Sequence, residues 1–261
     1  MIDVLKNEPL VVKHEVIDDG KVWHGLKIEM EVEGRYVEGK HSVLEYIKET
    51  AIMNPYAHIT LKTPNGKHEF KRTVNELPPK PKEIRPHPHG VELGVLRRML
   101  KLTRSKTILG FLLNDFSRVG KDSAMKVLRK ARIEPDREPR SLDLKETERL
   151  FKAMQLVEFR RPPTDCLSPV GEKFLIEGLK KEVPAEFFVA VTRKPEVYRG
   201  MPFQVEVAVA YGGKLANFEL LRFANKVPLL FQAGDCAITK AVMDVDWTRY
   251  GLKQGHRSLP D

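Results

Sequence analysis

The sequence predicts an α+β chain of more than one module, and three observations carry that prediction. Apolar residues alternate with period two over residues 26–32 and 203–209, the spacing of half-buried strands. They recur at i, i+3, i+4 and i+8 over Ile108, Phe111, Leu112 and Phe116, the spacing of a helix face. Two proline-rich runs, Pro78-Pro79-Lys80-Pro81 through Pro86-His87-Pro88-His89 and Arg160-Arg161-Pro162-Pro163, set the strand-bearing ends apart from a helical middle.

The elements follow in order. Val11, Val12 and Val16, the turn signal Asp18-Asp19-Gly20 and the alternating residues 26–32 predict a β-hairpin over 9–33. Ser42 and Glu45 form a capping-box pattern, so a helix is expected over 42–53, with Val43, Tyr46, Ile47 and Ala51 inward and Asn54-Pro55 ending it. His58-Ile59-Thr60-Leu61 and His68-Glu69-Phe70 flank Pro64-Asn65-Gly66 as a second hairpin. In the first proline-rich run His87 and His89 stand two apart with no Cys or acidic companions, the pattern of surface-packed linker residues rather than metal ligands.

In the helical middle Leu93, Leu96 and Leu100 share a face. Ser117-Arg118-Val119-Gly120 breaks the next helix, and Asp122 or Ser123 is placed to cap the one after it, with Ala124, Val127, Leu128 and Ala131 inward. Asp143 and Glu146 predict a cap for a last helix to about Met154, with Leu144, Leu150, Phe151 and Met154 buried. Beyond the second linker, Ser168-Pro169 is expected to open a helix bearing Phe174, Leu175 and Leu179. Strands are expected at 187–191, 203–209, 219–225 and 229–231, then a helix capped by Asp235 with Ile238, Ala241 and Val242 inward.

Charge is the main pointer to function. Residues 80–161 hold 21 Lys and Arg against 11 Asp and Glu, a net of +10 in a chain of net +9, so the flanks are near neutral. Charge concentrated in one module points to a polyanion. The candidate contacts are Arg118, Lys121, Lys126, Arg129 and Lys130, around a tight turn and a helix N-terminus whose free N–H groups suit a phosphate. The alternative is a solvated charged face on a small bundle.

Composition bounds the rest. The 261 residues, 41% of them apolar, suffice for two or three modest domains. No apolar run approaches the roughly 20 residues of a membrane helix, and the first residues, Met1-Ile2-Asp3-Val4-Leu5-Lys6, lack a secretory apolar core. Cys166 and Cys236 have neither CxxC nor zinc spacing and are expected to be reduced packing residues of a cytoplasmic protein. There is no P-loop, GxGxxG or GxSxG. Physics alone thus reads a basic three-part protein.

Several longer stretches go further. Gly34-Arg35-Tyr36-Val37-Glu38-Gly39, Thr50-Ala51-Ile52-Met53-Asn54-Pro55-Tyr56-Ala57, the run from Glu76 to Gly94, Phe116-Ser117-Arg118-Val119-Gly120, the run from Arg222 to Gln232 and that from Trp247 to Gln254 resemble, in the same order, the B subunits of DNA topoisomerase VI. The resemblance implies that residues 1–85 are the C-terminal part of a GHKL-type α/β ATPase sandwich. Residues 86–161 would be a helix-two-turn-helix insert, and residues 162–261 the first part of a ribosomal-protein-like α/β transducer. It implies an ATP-dependent type IIB topoisomerase subunit of archaeal type that relaxes supercoils by double-strand passage. Its partners would be duplex DNA, a second copy of the B subunit joined on ATP binding, and the topoisomerase VI A subunit, which carries the cleaving tyrosine. A cytoplasmic, nucleoid-associated place goes with it.

Within the resemblance Tyr250-Gly251-Leu252-Lys253-Gln254 matches the transducer loop whose lysine reaches the ATP γ-phosphate, so Lys253 takes the switch role and Gln254 a weaker assisting one. The family's magnesium-holding Asn helix, Asp-x-Gly-x-Gly turn and Gly-rich lid do not occur in the sequence. ATP and Mg2+ are therefore expected to belong to a more complete subunit, and this chain is expected to be an incomplete, monomeric piece without turnover of its own. The competing readings are a non-enzymatic nucleic-acid-binding module derived from that enzyme, and an adaptor that binds protein through a sheet edge.

Overall fold

The computed structural model describes residues 2–3, 8–9, 13–16, 24–255 and 259–260. The chain divides into two units, Met1–Tyr36 and Val37–Asp261.

In the first unit β1 (Ile2–Asp3) pairs antiparallel with β2 (Glu8–Pro9). Val11, Val12 and the Asp18-Asp19-Gly20 turn lie outside the described residues. The expected strand over 26–32 does not form. Its backbone joins no ladder, and both sets of alternating side chains are exposed, Leu26 at 82% and Met30 at 76%. Alternation defines a face, but a strand also needs a neighbour for its N–H and C=O groups, and no described residue supplies one.

The second unit opens with α1 (Val43–Met53), where the Ser42 side chain accepts the Glu45 N–H at 3.1 Å. Its buried side is Glu49, Ala51, Ile52 and Met53. Val43 and Tyr46, expected inward, are exposed, because the helix is covered only toward its C-terminal end. Asn54 ends it, and β3 (Ile59–Thr63) and β4 (Gly66–Phe70) form the expected antiparallel hairpin.

The proline-rich run ends clasped rather than free. His87 is buried; its Nε2 lies 3.1 Å from the Arg160 carbonyl, and His89 Nε2 lies 2.9 Å from that of Val157. Both imidazoles pack edge-on against Phe159. The two linkers thus close on each other and bracket the helical block.

That block contains α2 (Leu93–Leu102), α3 (Ile108–Asp115), α4 (Lys121–Ala131) and α5 (Leu144–Leu156) around one core of Leu96, Leu100, Ile108, Phe111, Phe116, Val127, Leu128, Leu150 and Met154. The 3.6-residue spacing placed these side chains correctly. Capping was less legible. Gly120, not Asp122 or Ser123, is the N-cap of α4, with Ser123 one turn in and its Oγ accepting the Gly120 N–H at 3.0 Å. Asp143 and Glu146 form the expected reciprocal box on α5, but Leu144 beside it is exposed and Thr147 and Ala153 are buried in its place.

The last part begins with α6 (Glu172–Glu182). It starts four residues after Ser168. Glu206 accepts the N–H groups of Val170 and Gly171, each at 2.7 Å, and Gly171 takes φ +89°, so the chain turns into the helix there. The helix lies on a two-stranded ribbon, β5 (Phe187–Thr192) paired with β8 (Glu206–Tyr211). Between them β6 (Glu196–Tyr198) and β7 (Met201–Phe203) make a hairpin, so the expected strand 203–209 is broken at Gln204-Val205. Of the expected strand at 219–225 only β9 (Phe223–Ala224) remains, the one at 229–231 does not form, and the partner of β9 is β10 (Val227–Pro228), which lies between the two. Arg222 accounts for part of this. It is buried, and its guanidinium donates to the Leu229 carbonyl at 2.7 Å and that of Phe231 at 3.1 Å, holding both segments as loops. In α7 (Ala237–Met243) the N-cap is Cys236 rather than Asp235; Thr239 is buried, while Ile238 and Ala241 face out.

A second apolar core joins Met53 and Val74 to Val170, Phe174, Leu175 and Ala190. Residues from before the helical block and after it therefore share one interior. The tightest point is Gly178 of α6, where an added Cβ would lie 1.9 Å from the Ile52 carbonyl oxygen of α1.

Candidate nucleic-acid interface and phosphate-facing loop

The turn before α4 is anchored by Ser117, whose N–H donates to the Pro86 carbonyl at 2.9 Å. Arg118 follows at φ +60°. Because Ala124, Val127, Leu128 and Ala131 are turned into the core, Lys126, Arg129 and Lys130 stand on the opposite side at i, i+3 and i+4. Lys121 occupies the first helical position. All five cations are exposed, and none has an acidic partner among the described residues. Such a face can take phosphates without breaking an existing ion pair, and the positive end of the α4 dipole lies at the same end as Lys121.

Lys253 sits elsewhere, at the end of a tied loop. Residues Trp247–Tyr250 form one 3-10 turn, Gly251 takes φ +77°, and the Leu252 N–H returns to the Trp247 carbonyl at 3.3 Å. Gln254 locks this shape: its Oε1 accepts the Trp247 N–H at 3.1 Å and its Nε2 donates to the Met243 carbonyl at 3.1 Å. Trp247 in turn donates from its indole to Val242 at 2.8 Å. The frame spends the Gln254 amide and leaves the Lys253 ammonium exposed and without an ion pair among the described residues. Gln254 thus braces the loop on which Lys253 stands. No described hydrogen bond or ion pair joins this loop to α4. Among the described residues no group of three His, Cys, Asp or Glu side chains could hold a metal ion.

Sequence reasoning missed a cluster beside α7. The Thr239 N–H and the Arg222 guanidinium favour a thiolate at Cys236 and hold it down to about 7. Glu49, on α1, is pushed up to about 7 by burial and by the like charges of Glu45 and Glu219, against Lys48 and Arg222. A glutamate on the same helical stripe as Ile52 and Met53 was the one visible signal; nothing in the spacing of Cys236 announced its neighbours.

A family model described as the transducer of the topoisomerase VI B subunit matches residues 162–260. Over 267 residues the chain is 48% identical to the B subunit of type 2 DNA topoisomerase 6 from Archaeoglobus fulgidus, an alignment covering 99% of this chain and 44% of that protein. It is 43% identical over 268 residues to the same-named protein of Methanosarcina barkeri, covering 100% of this chain and 42% of that protein. With that of Thermococcus onnurineus it shares 40% over 305 residues, covering 98% and 54%. The chain thus spans about half the length, or less, of these relatives.

Proposed function

The chain belongs to the topoisomerase VI B-subunit family, and from that premise we propose that it is the part of an ATP-dependent type IIB DNA topoisomerase that couples DNA contact to a nucleotide-sensing loop. Residues 162–260 are its transducer. Residues 86–161, with a core of their own, are assigned as the helix-two-turn-helix insert, and the residues before them as the end of the GHKL sandwich. The A subunit, a second copy of the B subunit and duplex DNA are the partners.

The observation that carries the reading is the Lys253 loop. An ammonium on a flexible stem, borne on a hydrogen-bonded frame and without an ion pair among the described residues, suits an anion that comes and goes. ATP bound in the assembled enzyme supplies that anion as its γ-phosphate. Lys253 binds the state that has the phosphate and loses the bond when it leaves, which is the differential affinity a switch requires. Gln254 and Trp247 keep the loop from collapsing in either state. Arg118, Lys121, Lys126, Arg129 and Lys130 bind the DNA backbone, which makes binding salt-sensitive and blind to sequence.

The test is Lys253→Ala in the enzyme reconstituted from its A and B subunits. ATP-dependent relaxation is expected to fall at least ~10-fold, the scale of one charge-assisted hydrogen bond, while duplex binding stays unchanged. Unimpaired relaxation would remove the role from Lys253.

A further inference from the structure

We propose that the helical block carries a second phosphate-binding site, in the cleft between the α2–α3 loop and the 139–141 turn, and that it takes the backbone of duplex DNA. The proposal rests on the reading of this chain as DNA-binding, but uses none of the α4 residues on which that reading stands.

The cleft has a volume of about 310 Å3 and is lined by Thr103, Arg104, Ser105, Lys106, Glu138 and Arg140. A smaller hollow of about 80 Å3 shares Arg140 and adds Arg97 and Lys101 from α2. Arg97 and Lys101 lie one turn apart on the exposed flank of α2, next to the buried Leu96 and Leu100. Five cations therefore surround two hollows that meet at one arginine. Two acids stand among them. Asp143 is engaged as the cap of α5, accepting the Glu146 N–H at 2.7 Å, and Glu138 is exposed. None of the five cations has an ion-pair partner among the described residues.

The walls are rigid. The Ile108 N–H donates to the Arg137 carbonyl at 2.8 Å and the Leu109 N–H to that of Pro135 at 3.0 Å, which binds the start of α3, where the α2–α3 loop ends, to the segment before the 139–141 turn. Thr103, buried at the end of α2, donates its hydroxyl to Asp115 and accepts the Ser105 N–H at 3.0 Å. Its carbonyl receives the Arg140 guanidinium at 3.4 Å. Since the first α3 amides are already used, the site is made by side chains: in the larger hollow two guanidinium forks, one lysine ammonium and the Ser105 hydroxyl, with Arg97 and Lys101 beside the smaller one. Arginine forks match phosphate oxygens in pairs. A lone carboxylate needs one such fork, whereas cations spread over a helix, a loop and a turn fit a ligand whose charge repeats along its length, as the duplex backbone does.

The experiment is binding of a short labelled DNA duplex by the whole chain across a range of salt, comparing wild type, Arg104→Gln/Lys106→Gln/Arg140→Gln and Arg118→Gln/Lys121→Gln. Each phosphate contact contributes about 0.9 to the slope of log affinity against log salt, so the triple variant should lower the slope by about 2 to 3 and weaken binding ~10-fold or more. Matched thermal unfolding of the variant shows that the loss is not misfolding. If the triple variant is unstable, Arg104→Gln and Lys106→Gln singly should each lower the slope by about one. An unchanged slope in a chain that binds DNA, and whose Arg118→Gln/Lys121→Gln variant binds less well, overturns this site and leaves α4 standing. A wild-type chain that binds no duplex overturns both.

Discussion

Two ionisable side chains make their predictions at the scale of single residues. Glu49 is held up to about 7, against an ordinary value near 4.5, chiefly because burial penalises its charged form. A carboxyl whose pKa is raised by folding costs nothing where both states are protonated. It becomes a burden as pH climbs from 4.5 through about 7, since only the unfolded chain ionises freely. Thermal unfolding followed over that window should show stability falling as pH rises, and Glu49→Gln should flatten the curve and raise the midpoint at pH above 7. A variant curve parallel to wild type would contradict this. Cys236 is shifted the other way, held down to about 7 by the Thr239 N–H and Arg222. Its alkylation by iodoacetamide should reach half its plateau near pH 7, and Arg222→Met should move that midpoint upward. Cys166 is buried and should react slowly in the folded chain.

At the scale of elements the decisive contact is the crossing of α1 and α6. Only a hydrogen at position 178 lets α6 approach the Ile52 carbonyl, because any Cβ there would sit 1.9 Å from that oxygen. Gly178→Ala gains helix propensity but must push the two helices apart, and overpacking of this kind costs about 1–3 kcal/mol. Urea unfolding should show a net loss; a gain would mean that the helices do not meet this closely. The sequence offered no hint, since a glycine inside a helical pattern reads equally as a weak point. The capped helices were easier to read because a cap is local: Ser42 with the Glu45 N–H and Asp143 with Glu146 act across three residues.

At the scale of the whole molecule, the described residues form two interiors, one inside the helical block and one shared by residues on both sides of it. Leu128 is nearly fully buried in the first, so Leu128→Ala should cost about 2–5 kcal/mol. If the cores melt separately, that variant moves one of two calorimetric transitions and leaves the other in place; a single transition shifted as a whole would show them coupled. The ribbon of β5 and β8 leaves Phe187, Val189, Val191, Val207, Val209 and Tyr211 exposed on one face, opposite the face covered by α6.

The family, the order of the helices and the basic charge of the middle block were determined by the sequence alone. Each rests on short-range spacing or on residue identity, which a linear chain carries intact. The tertiary structure decided which apolar patterns found a partner. Residues 26–32 and 203–209 both show period-two spacing, yet only the second feeds a ladder, through β8, because β5 lies beside it and no described segment lies beside the first. It also decided what surrounds each charge. Arg222 and Glu49 are drawn into an interior, while Arg104, Lys106 and Arg140 converge on one cleft, since three-dimensional neighbours come from segments far apart in sequence. Local pattern specifies an element; burial and electrostatics depend on what the rest of the chain places against it.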